Sequence, residues 1–269
     1  MSEGENFTHK KEYALVTGGS SGIGLAFVHQ LAKRGYNICI VSNQQDKLIA
    51  LEKEISAKYK VHCISYFLDL TQQHVAQAIY EFCKSREIII EVLINNAGFL
   101  VATELIKTPS DKTDNMLKLH VLTPTLLSQI FAKEMAKQGK GYILNTSSTS
   151  AHMPYPLISI YGPSKAYLYN FSRALRTEMY NKNVFVSCIL PGAVDTPLLK
   201  LSNSKRKLAR RLGVMHTPGY IAKKGLQRLF KNKSKTVPGI LNKISVPLLK
   251  TIPNIVILKA YEYWDRRNM

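Results

Sequence analysis

Apolar and polar positions divide the first two-thirds of the chain into two alternating kinds of segment. Short apolar runs predict six buried strands, at residues 13–17, 38–41, 62–67, 91–95, 141–147 and 184–190. Between them apolar residues recur at helical spacing, which predicts helices at 23–34, 45–58, 71–84, 112–137 and 161–181. Strands that are apolar on both faces and alternate with helices form a parallel sheet covered on both sides. The pattern therefore predicts an α/β fold with a doubly wound parallel sheet in three layers.

The length and the later part of the chain add detail to this picture. The 269 residues fit one large α/β domain, so we expect a single domain over 1–269. Pro124 lies inside the longest predicted helix and indicates a kink or an interruption there. Residues 197–215 are rich in lysine and arginine, and residues 237–269 form a basic and apolar C-terminal extension. Within that extension, residues 255–264 have the spacing of an amphipathic helix. This helix is expected to pack against protein, within the subunit or in a dimer, and an anionic membrane surface is the alternative.

Positive charge is concentrated near the end of the chain. The formal net charge is +19, and from Lys200 onward 17 lysines and arginines face only two acidic residues, Glu262 and Asp265. Such a field favours anionic partners, namely a phosphorylated cofactor, an acyl carrier, an acidic membrane surface or nucleic acid. The alternative is a solvated basic face that aids solubility. No recognition motif accompanies the basic tail, so no nucleic-acid partner is expected.

The cysteines and the N-terminus indicate where the protein works. The four cysteines are scattered without metal-ligand spacing, so neither a metal site nor a disulfide framework is expected. This favours a reducing compartment. Residues 1–12 are polar without an apolar core, and no apolar run reaches the length of a membrane-spanning helix. We expect a cytoplasmic protein, with peripheral contact to an anionic membrane through the C-terminal extension as an alternative.

A glycine-rich turn joins the first predicted strand to the first predicted helix. Glycines let the backbone turn sharply and approach a pyrophosphate, while the helix N-terminus offers free N–H groups to an anion. Glycine is common in such turns, but the strand before it and the helix after it supply the context of a nucleotide site. The turn thus predicts a Rossmann-type dinucleotide site at Gly18, Ser20, Ser21, Gly22, Ile23 and Gly24.

This turn and several motifs further along the chain resemble those of the short-chain dehydrogenase/reductase family. Thr17, Gly18, Gly22 and Gly24 match its glycine-rich pattern, and residues 95–98 read Asn-Asn-Ala-Gly as in the family. Tyr161 and Lys165 match its Tyr-x-x-x-Lys pair, and Ser148 stands thirteen residues before Tyr161. Besides the turn, the resemblance implies cofactor contacts from Asp69, Leu70, Asn96, Ala97, Gly98, Tyr161, Lys165, Pro191, Gly192, Val194 and Thr196.

The resemblance also implies a mechanism of hydride transfer between a nicotinamide cofactor and a carbonyl or hydroxyl carbon. Tyr161 would act as general acid or base, and Ser148 would donate a hydrogen bond to the substrate oxygen. Lys165 follows Tyr161 by four residues, so both lie on one helix face, where the ammonium should lower the pKa of the phenol. A lone Tyr-x-x-x-Lys pair on a helix is usually a surface feature without a function, but the other motifs favour catalysis by this pair.

The chain departs from the family at one site position. The family usually has an asparagine in the fourth-region helix, where this chain reads Leu119-His120-Val121. His120 is expected to replace the asparagine in a proton relay to the lysine. Packing as a neutral core histidine, with slower turnover, is the alternative.

Cofactor and substrate preference are read from the strand ends. NAD-dependent members carry an acidic residue where this chain has Ser42, and many NADP-dependent members carry an arginine where it has Asn43. Without a carboxylate to repel a phosphate, NADP(H) is favoured, and NAD(H) is the alternative. An apolar or amphipathic carbonyl or alcohol substrate is expected, because the candidate pocket walls are Phe99, Leu100, Met153, Tyr155, Pro156 and residues 198–201.

The assembly and the class of function complete the expectations. The family is usually dimeric or tetrameric through its long helices, so the resemblance implies a homodimer or homotetramer. The resemblance also implies that the basic segment 197–215 is a lid. The main hypothesis is an NADP(H)-dependent oxidoreductase. The alternative is a nucleotide-binding regulatory or scaffold protein on the same fold with little catalysis.

Overall fold

A seven-stranded parallel sheet forms the centre of the molecule. The computed structural model describes residues 12–152, 154–196, 202–249 and 251–266. The strands run in the order β3, β2, β1, β4, β5, β6, β9, and every pair is parallel. Their bounds are β1 Glu12–Thr17, β2 Asn37–Ser42, β3 Cys63–Phe67, β4 Ile89–Asn95, β5 Gly141–Thr146, β6 Val184–Ile189 and β9 Lys235–Thr236. Two short strands, β7 Ala193–Val194 and β8 Met215–His216, pair with each other outside this sheet.

Helices cover both faces of the sheet. They are α1 Gly22–Ala32, α2 Gln45–Tyr59, α3 Val75–Lys84, α4 Ser110–Leu117, α5 Thr123–Gln138, α6 Tyr161–Glu178, α7 Asn203–Arg211, α8 Pro218–Phe230, α9 Ile240–Leu249 and α10 Asn254–Asp265. Helices α1, α2 and α8 contribute to the core on one face, and α3, α5 and α6 to the core on the other. The predicted doubly wound α/β fold in three layers is confirmed.

The strands are apolar throughout because both of their faces are buried. Along β1, Ala14 and Val16 belong to the core beneath α1 and α8, whereas Leu15 belongs to the core beneath α3 and α5. Successive side chains of a strand point to opposite faces, so an uninterrupted apolar run is what a doubly covered strand requires.

The order in which strands are added to the sheet changes direction between β1 and β4. From β1 the chain proceeds outward through β2 to β3, then returns to place β4 on the other side of β1. In such sheets a crevice opens at the carboxyl ends of the strands, at this reversal point. The glycine-rich turn after β1 and the Asn-Asn-Ala-Gly segment after β4 therefore meet there.

The helix expected at 71–84 begins later, at Val75. The Asp69 carboxylate accepts hydrogen bonds from the Thr71 backbone N–H and from its hydroxyl, both at 2.9 Å. His74 then takes a left-handed conformation with φ of 58°. An aspartate that bonds two residues ahead holds a turn against the helix, which is why helical spacing misplaced the start.

The helix expected at 112–137 is interrupted, as Pro124 indicated. It consists of α4, a π-helical turn at Lys118–Leu122, and α5. Pro124 directly follows this π-helical turn inside a continuous helix, where it cannot donate a backbone hydrogen bond, and the wider turn before it accommodates that loss. The wide turn carries His120, and π turns often occur at functional sites.

The last quarter of the chain adds elements that the sequence patterns did not reveal. Helix α8 packs on α1 through Ile221 and Leu226, and the two-residue strand β9 extends the sheet beside β6. Helix α10 corresponds to the amphipathic helix predicted at 255–264. The division into a basic lid and a C-terminal extension stays a prediction. No helix in the described part of the chain is long and apolar enough to cross a membrane.

Candidate active site

A cavity of about 1180 Å³ lies at the carboxyl ends of the central strands. It is walled by the segments that follow the six strands β1 to β6. Apart from Gly24, every residue predicted to contact the cofactor lines it: Gly18, Ser20, Ser21, Gly22, Ile23, Ser42, Asn43, Asp69, Leu70, Asn96, Ala97, Gly98, Tyr161, Lys165, Pro191, Gly192, Val194 and Thr196. The tertiary fold thus brings together positions spread over 179 residue numbers, from 18 to 196.

The glycines of the first turn are required by close backbone approach. Gly18 has a φ of +64°, and a Cβ placed there would lie 2.9 Å from the Cα of Ala97. Gly22, with a φ of +55°, approaches the side chain of Thr196. A Cβ on Gly24 would run into the carbonyl of Gly18, so Gly24 packs α1 against the turn behind the cavity. The turn can hold this shape only with glycine at these positions.

The start of α1 fits the pyrophosphate of a dinucleotide. The helix begins at Gly22, Ser21 makes no side-chain cap, and the first turn contains no acidic residue. The first N–H groups of a helix have no partner within the helix, and the dipole makes this end positive. Because Ser21, Gly22 and Ile23 line the cavity, this end faces the position of the ligand.

The end of β2 presents hydroxyl and amide groups to the cavity. The Ser42 and Ser20 hydroxyls lie 2.8 Å apart, and the Ser20 hydroxyl donates to Gln44 Oε1 at 2.9 Å. Asn43 is exposed beside them and also lines the cavity. At this strand end the ribose of a dinucleotide would meet neutral hydrogen-bonding groups rather than a carboxylate.

The three predicted catalytic side chains converge on the cavity. Tyr161 is the first residue of α6, and Lys165 follows one turn later. The Ser148 hydroxyl, just after β5, accepts a hydrogen bond from the Ser150 N–H at 3.2 Å and lines the same cavity as Tyr161. The Nζ of Lys165 donates to the carbonyl of Thr146 at 3.1 Å and lies 5.6 Å from the centre of the Tyr161 ring.

Burial dominates the electrostatics of this group. It raises the pKa of Tyr161, against the opposing effect of the hydrogen bond with Ser148. It lowers the pKa of Lys165 to about 8. The pKa of Tyr161 is therefore raised overall, not lowered as expected from Lys165. The Lys165 ammonium donates to a carbonyl and lies over the ring, and desolvation of the phenolate outweighs any attraction.

His120 lies behind the cavity and connects two of its walls. The Phe99 backbone N–H donates to Nε2 at 3.2 Å, so the proton of the neutral ring is on Nδ1. Nδ1 then donates to the Ser164 hydroxyl at 3.0 Å, which donates to the carbonyl of Tyr161 at 2.8 Å. Burial, reinforced by the charge of Lys165, holds the pKa of His120 well below its usual value. The ring is therefore neutral, and both its nitrogens are occupied.

Two polar residues support the site although the sequence did not predict a role for their hydroxyls. The Thr17 hydroxyl accepts from the N–H groups of Asn96 and Ala97, at 3.0 and 3.2 Å, and so fixes the segment after β4. The Ser147 hydroxyl donates to the carbonyl of Lys165 at 2.7 Å. Thr17 and Ser147 lie within or beside the motifs, which was the only signal that could have identified them.

Only some of the residues predicted to form the substrate pocket line the cavity. Phe99, Leu100 and Tyr155 line the cavity, but Pro156 does not. Met153 and residues 198–201 lie outside the described residues. Helix α4 contributes Lys112 and Asn115, which sequence patterns did not single out. These polar side chains reach the cavity only because the fold brings α4 over the strand ends.

A doubly wound sheet, a glycine-rich turn at its reversal point and a Ser-Tyr-Lys group in one cavity define a class of protein. That class is the nicotinamide-dependent oxidoreductases. A family model described as short chain dehydrogenase matches residues 12–207. The chain belongs to this family, which confirms the family and the enzyme class expected from the sequence, and binding of a nicotinamide cofactor follows from it.

Similar proteins agree with this assignment. The chain is 36% identical over 198 residues to hydroxysteroid dehydrogenase-like protein 1 of Gallus gallus, covering 72% of this chain and 59% of that protein. It is 34% identical over 194 residues to very-long-chain 3-oxoacyl-CoA reductase of Macaca fascicularis, covering 71% and 62%. The match therefore spans less than two-thirds of these relatives. L-sorbose reductase from Gluconobacter frateurii, complexed with NADPH and L-sorbose, has a TM-score of 0.75 at 25% identity over 86% of this chain and 96% of that one.

Proposed function

We propose that this protein is an NADP(H)-dependent oxidoreductase that interconverts a carbonyl and a hydroxyl group on an apolar or amphipathic substrate. The observation that carries the proposal is the convergence of Ser148, Tyr161 and Lys165 on the cavity that the glycine-rich turn also lines. The bound cofactor would supply or accept the hydride. The residues of the chain bind the substrate oxygen and move its proton.

Tyr161 is the proton donor in the direction of reduction. Its pKa is raised by burial, so it carries its proton at neutral pH and can give it to an oxygen that gains negative charge. Ser148 lines the same cavity as Tyr161, so a substrate oxygen held between the two hydroxyls is within reach of the proton. Lys165, with a pKa near 8, is mostly charged at neutral pH and stabilises the phenolate left behind.

The end of β2 supports NADP(H) as the cofactor, with NAD(H) as the alternative. Ser42, Asn43 and Gln44 offer hydroxyl and amide groups and no carboxylate to a 2′-phosphate. The net charge of +19 also attracts the more anionic cofactor. The similar L-sorbose reductase was complexed with NADPH.

His120 acts on catalysis through position. Its hydrogen bonds run from the N–H of Phe99 to Ser164 and on to the carbonyl of Tyr161, and thereby hold the substrate-side loop against the start of α6. The proton relay expected from the sequence is the alternative. A small cavity of about 10 Å³ between Asn95, His120 and Lys165 favours that route.

The oligomeric state follows the family, and the location follows from the scattered cysteines. A homodimer or homotetramer is proposed, together with a cytoplasmic location.

The second candidate function is a nucleotide-binding regulatory or scaffold protein with little catalysis. The observation that favours it is His120, which stands at the family's asparagine position with both ring nitrogens occupied.

The test is a fluorescence titration of the purified protein with NADPH and NADH, followed by a panel of aldehydes and ketones of increasing apolar size. The proposal expects tighter NADPH binding and NADPH oxidation with the larger apolar ketones. Tight binding without turnover of any carbonyl, also in the reverse direction with alcohols, would favour the scaffold function. Failure to bind either cofactor would contradict both.

A further inference from the structure

Helix α9 presents its apolar side to solvent. Ile240, Ile244 and Leu248 recur at every fourth residue and are 75%, 59% and 63% exposed. Residues four apart lie on one side of a helix, so these three form a continuous stripe, with Leu241 exposed beside them. A surface helix of a globular protein normally turns this stripe inward.

The stripe continues onto the turn between α7 and β8. A Cβ on Gly213 would lie 3.8 Å from Leu241, which places that turn against α9. Leu212 and Val214, on either side of Gly213, are both exposed. We call these six residues the C-terminal apolar face: Leu212, Val214, Ile240, Leu241, Ile244 and Leu248. Contiguous exposed apolar surface of this kind marks a site of interaction.

Positive charge borders the face. Helix α7 carries five basic residues and no acidic residue in Asn203–Arg211. Arg206 and Arg210 lie near the carboxylate of Asp195, but no ion pair involves Lys205, Lys207 or Arg211 within the described residues. Lys243 is exposed on α9 itself. Apolar residues flanked by free cations match an anionic lipid surface, where the apolar side chains enter the headgroup boundary.

Charge also decides against a second copy of this chain as the occupant. In a twofold dimer the same patch lies on both sides of the interface, so the cations of one α7 would meet those of the other. From Lys200 onward the chain has 17 basic and two acidic residues, which leaves little to neutralise them. We propose that the C-terminal apolar face and the basic side chains of α7 dock this protein on an anionic phospholipid surface.

The opposite side of α9 borders the cavity. Val246 is buried, and a Cβ on Gly192 would lie 2.5 Å from the Asn242 Oδ1. Docking through the face would therefore bring the cavity next to the lipid, where an apolar substrate is concentrated. This consequence rests on the proposed function, whereas docking itself does not.

Vesicle co-sedimentation of the full chain tests the proposal. We expect binding to vesicles of phosphatidylcholine with phosphatidylserine, weaker binding to phosphatidylcholine alone, and weakening by salt. Lys207→Gln with Arg211→Gln should reduce binding about five-fold for each charge removed. Lys53→Gln with Lys58→Gln, on α2 at the other edge of the sheet, removes the same charge and should change binding little.

The apolar contribution needs its own variants, because any basic protein is attracted to anionic lipid. Ile244→Ser with Leu248→Ser should reduce binding about tenfold or more. Ile49→Ser, which removes a side chain 56% exposed on α2, is the matched control. If the double variant binds as tightly as the parent, the attraction is only diffuse charge and the proposal is overturned.

A fluorophore reports which surface meets the lipid. All four native cysteines are buried, so an environment-sensitive thiol label should attach selectively after Ile244→Cys or Ile49→Cys. A blue shift with anionic vesicles at position 244 but not at 49 supports docking through the face. An equal response at both positions, or none at either, contradicts it.

Conversion of an oligomer to a monomer by Ile244→Ser with Leu248→Ser would assign the face to subunit contact instead. Because none of these measurements uses catalysis, failure here leaves the proposed function standing.

Discussion

The sheet body and the C-terminal helices use similar apolar residues in opposite ways. In β1, β2, β5 and β6 isoleucine, leucine and valine are almost fully buried, as at Ile40 and Ile143. In α9 the same residue types form the most exposed stripe of the helix, as at Ile240 and Ile244. Hydrophobicity therefore stabilises the fold in one region and creates a binding surface in the other. Hydrophobic composition alone does not distinguish the two, because only the neighbours of a side chain decide whether it is buried.

The site shows the same contrast for polar residues. In the body, buried polar groups such as His120 and Asn145 are held by neighbouring side chains. On α7 the charged groups Lys207 and Arg211 are exposed. Substitutions that remove one polar atom should therefore reduce activity or stability when they lie in the sheet body. In the C-terminal region they should have little effect unless a lipid is present.

The largest effect is expected from removing the hydroxyl of Tyr161. Tyr161→Phe should reduce kcat by about 10²- to 10⁴-fold, because the proton donor is lost, while NADPH binding is kept. Tyr263→Phe, exposed on α10, removes the same atom from the C-terminal region and should leave kcat unchanged. Steady-state turnover and cofactor titration measure both. Equal losses in the two variants would show that catalysis does not depend on the predicted tyrosine.

The free energy of unfolding should respond differently to substitutions in the two regions, and this is the next largest effect. Ile40→Ala empties space in a fully buried position and should reduce the free energy of unfolding by about 2–5 kcal/mol. Ile244→Ala, on the exposed stripe, should change it by less than about 0.5 kcal/mol. Urea unfolding measures both values. A large loss from Ile244→Ala would mean that α9 is packed against protein, and would contradict the comparison.

The burial of Lys165 should appear as a pH dependence of stability. Its pKa is lowered from 10.5 to about 8, so between these values the unfolded chain binds more protons than the folded one. Stability from this group therefore rises as the pH increases from 8 to 10.5, by about 3 kcal/mol in total. Lys165→Met should remove that rise, whereas Lys243→Met should keep it. Urea unfolding at a series of pH values checks the slope, and identical slopes in parent and Lys165→Met would be the contrary result.

A smaller effect is expected at the end of β2. Ser42→Asp places a carboxylate where the 2′-phosphate of NADPH is proposed to bind, and should weaken NADPH relative to NADH by about 10- to 100-fold. Ser204→Asp on α7 adds the same charge elsewhere and should leave the ratio unchanged. Fluorescence titration of both cofactors gives the ratio. An unaltered ratio in Ser42→Asp would place the phosphate elsewhere.

The smallest effect concerns His120. If it positions the loop and α6, His120→Ala should lower kcat about tenfold without moving the inflections of the pH profile. His120→Asn should recover part of the loss, since an amide can still bond one of the two partners. In a relay, His120→Ala would shift the inflections instead. Profiles of kcat against pH for the three proteins separate the two roles.

Much of the site could be predicted because its motifs are local. Gly18 and Gly22 have positive φ values and Gly24 lies against the carbonyl of Gly18, so the spacing of the three glycines is set within one turn of the chain. Lys165 follows Tyr161 by one helical turn for the same reason. The pKa of Tyr161 could not be predicted in this way, because it depends on burial by segments far apart in the chain.

The sequence by itself determined the alternation of strands and helices, the glycine-rich turn and the Tyr161–Lys165 pair. These depend on hydrophobic periodicity and on backbone conformation, which act over a few residues. Only the tertiary structure decided that the ring of His120 is neutral with both nitrogens bonded, and that α9 turns its apolar side outward. Burial and hydrogen-bond partners arise from residues distant in sequence. Spacing alone cannot determine them, because it does not specify what a side chain finally contacts.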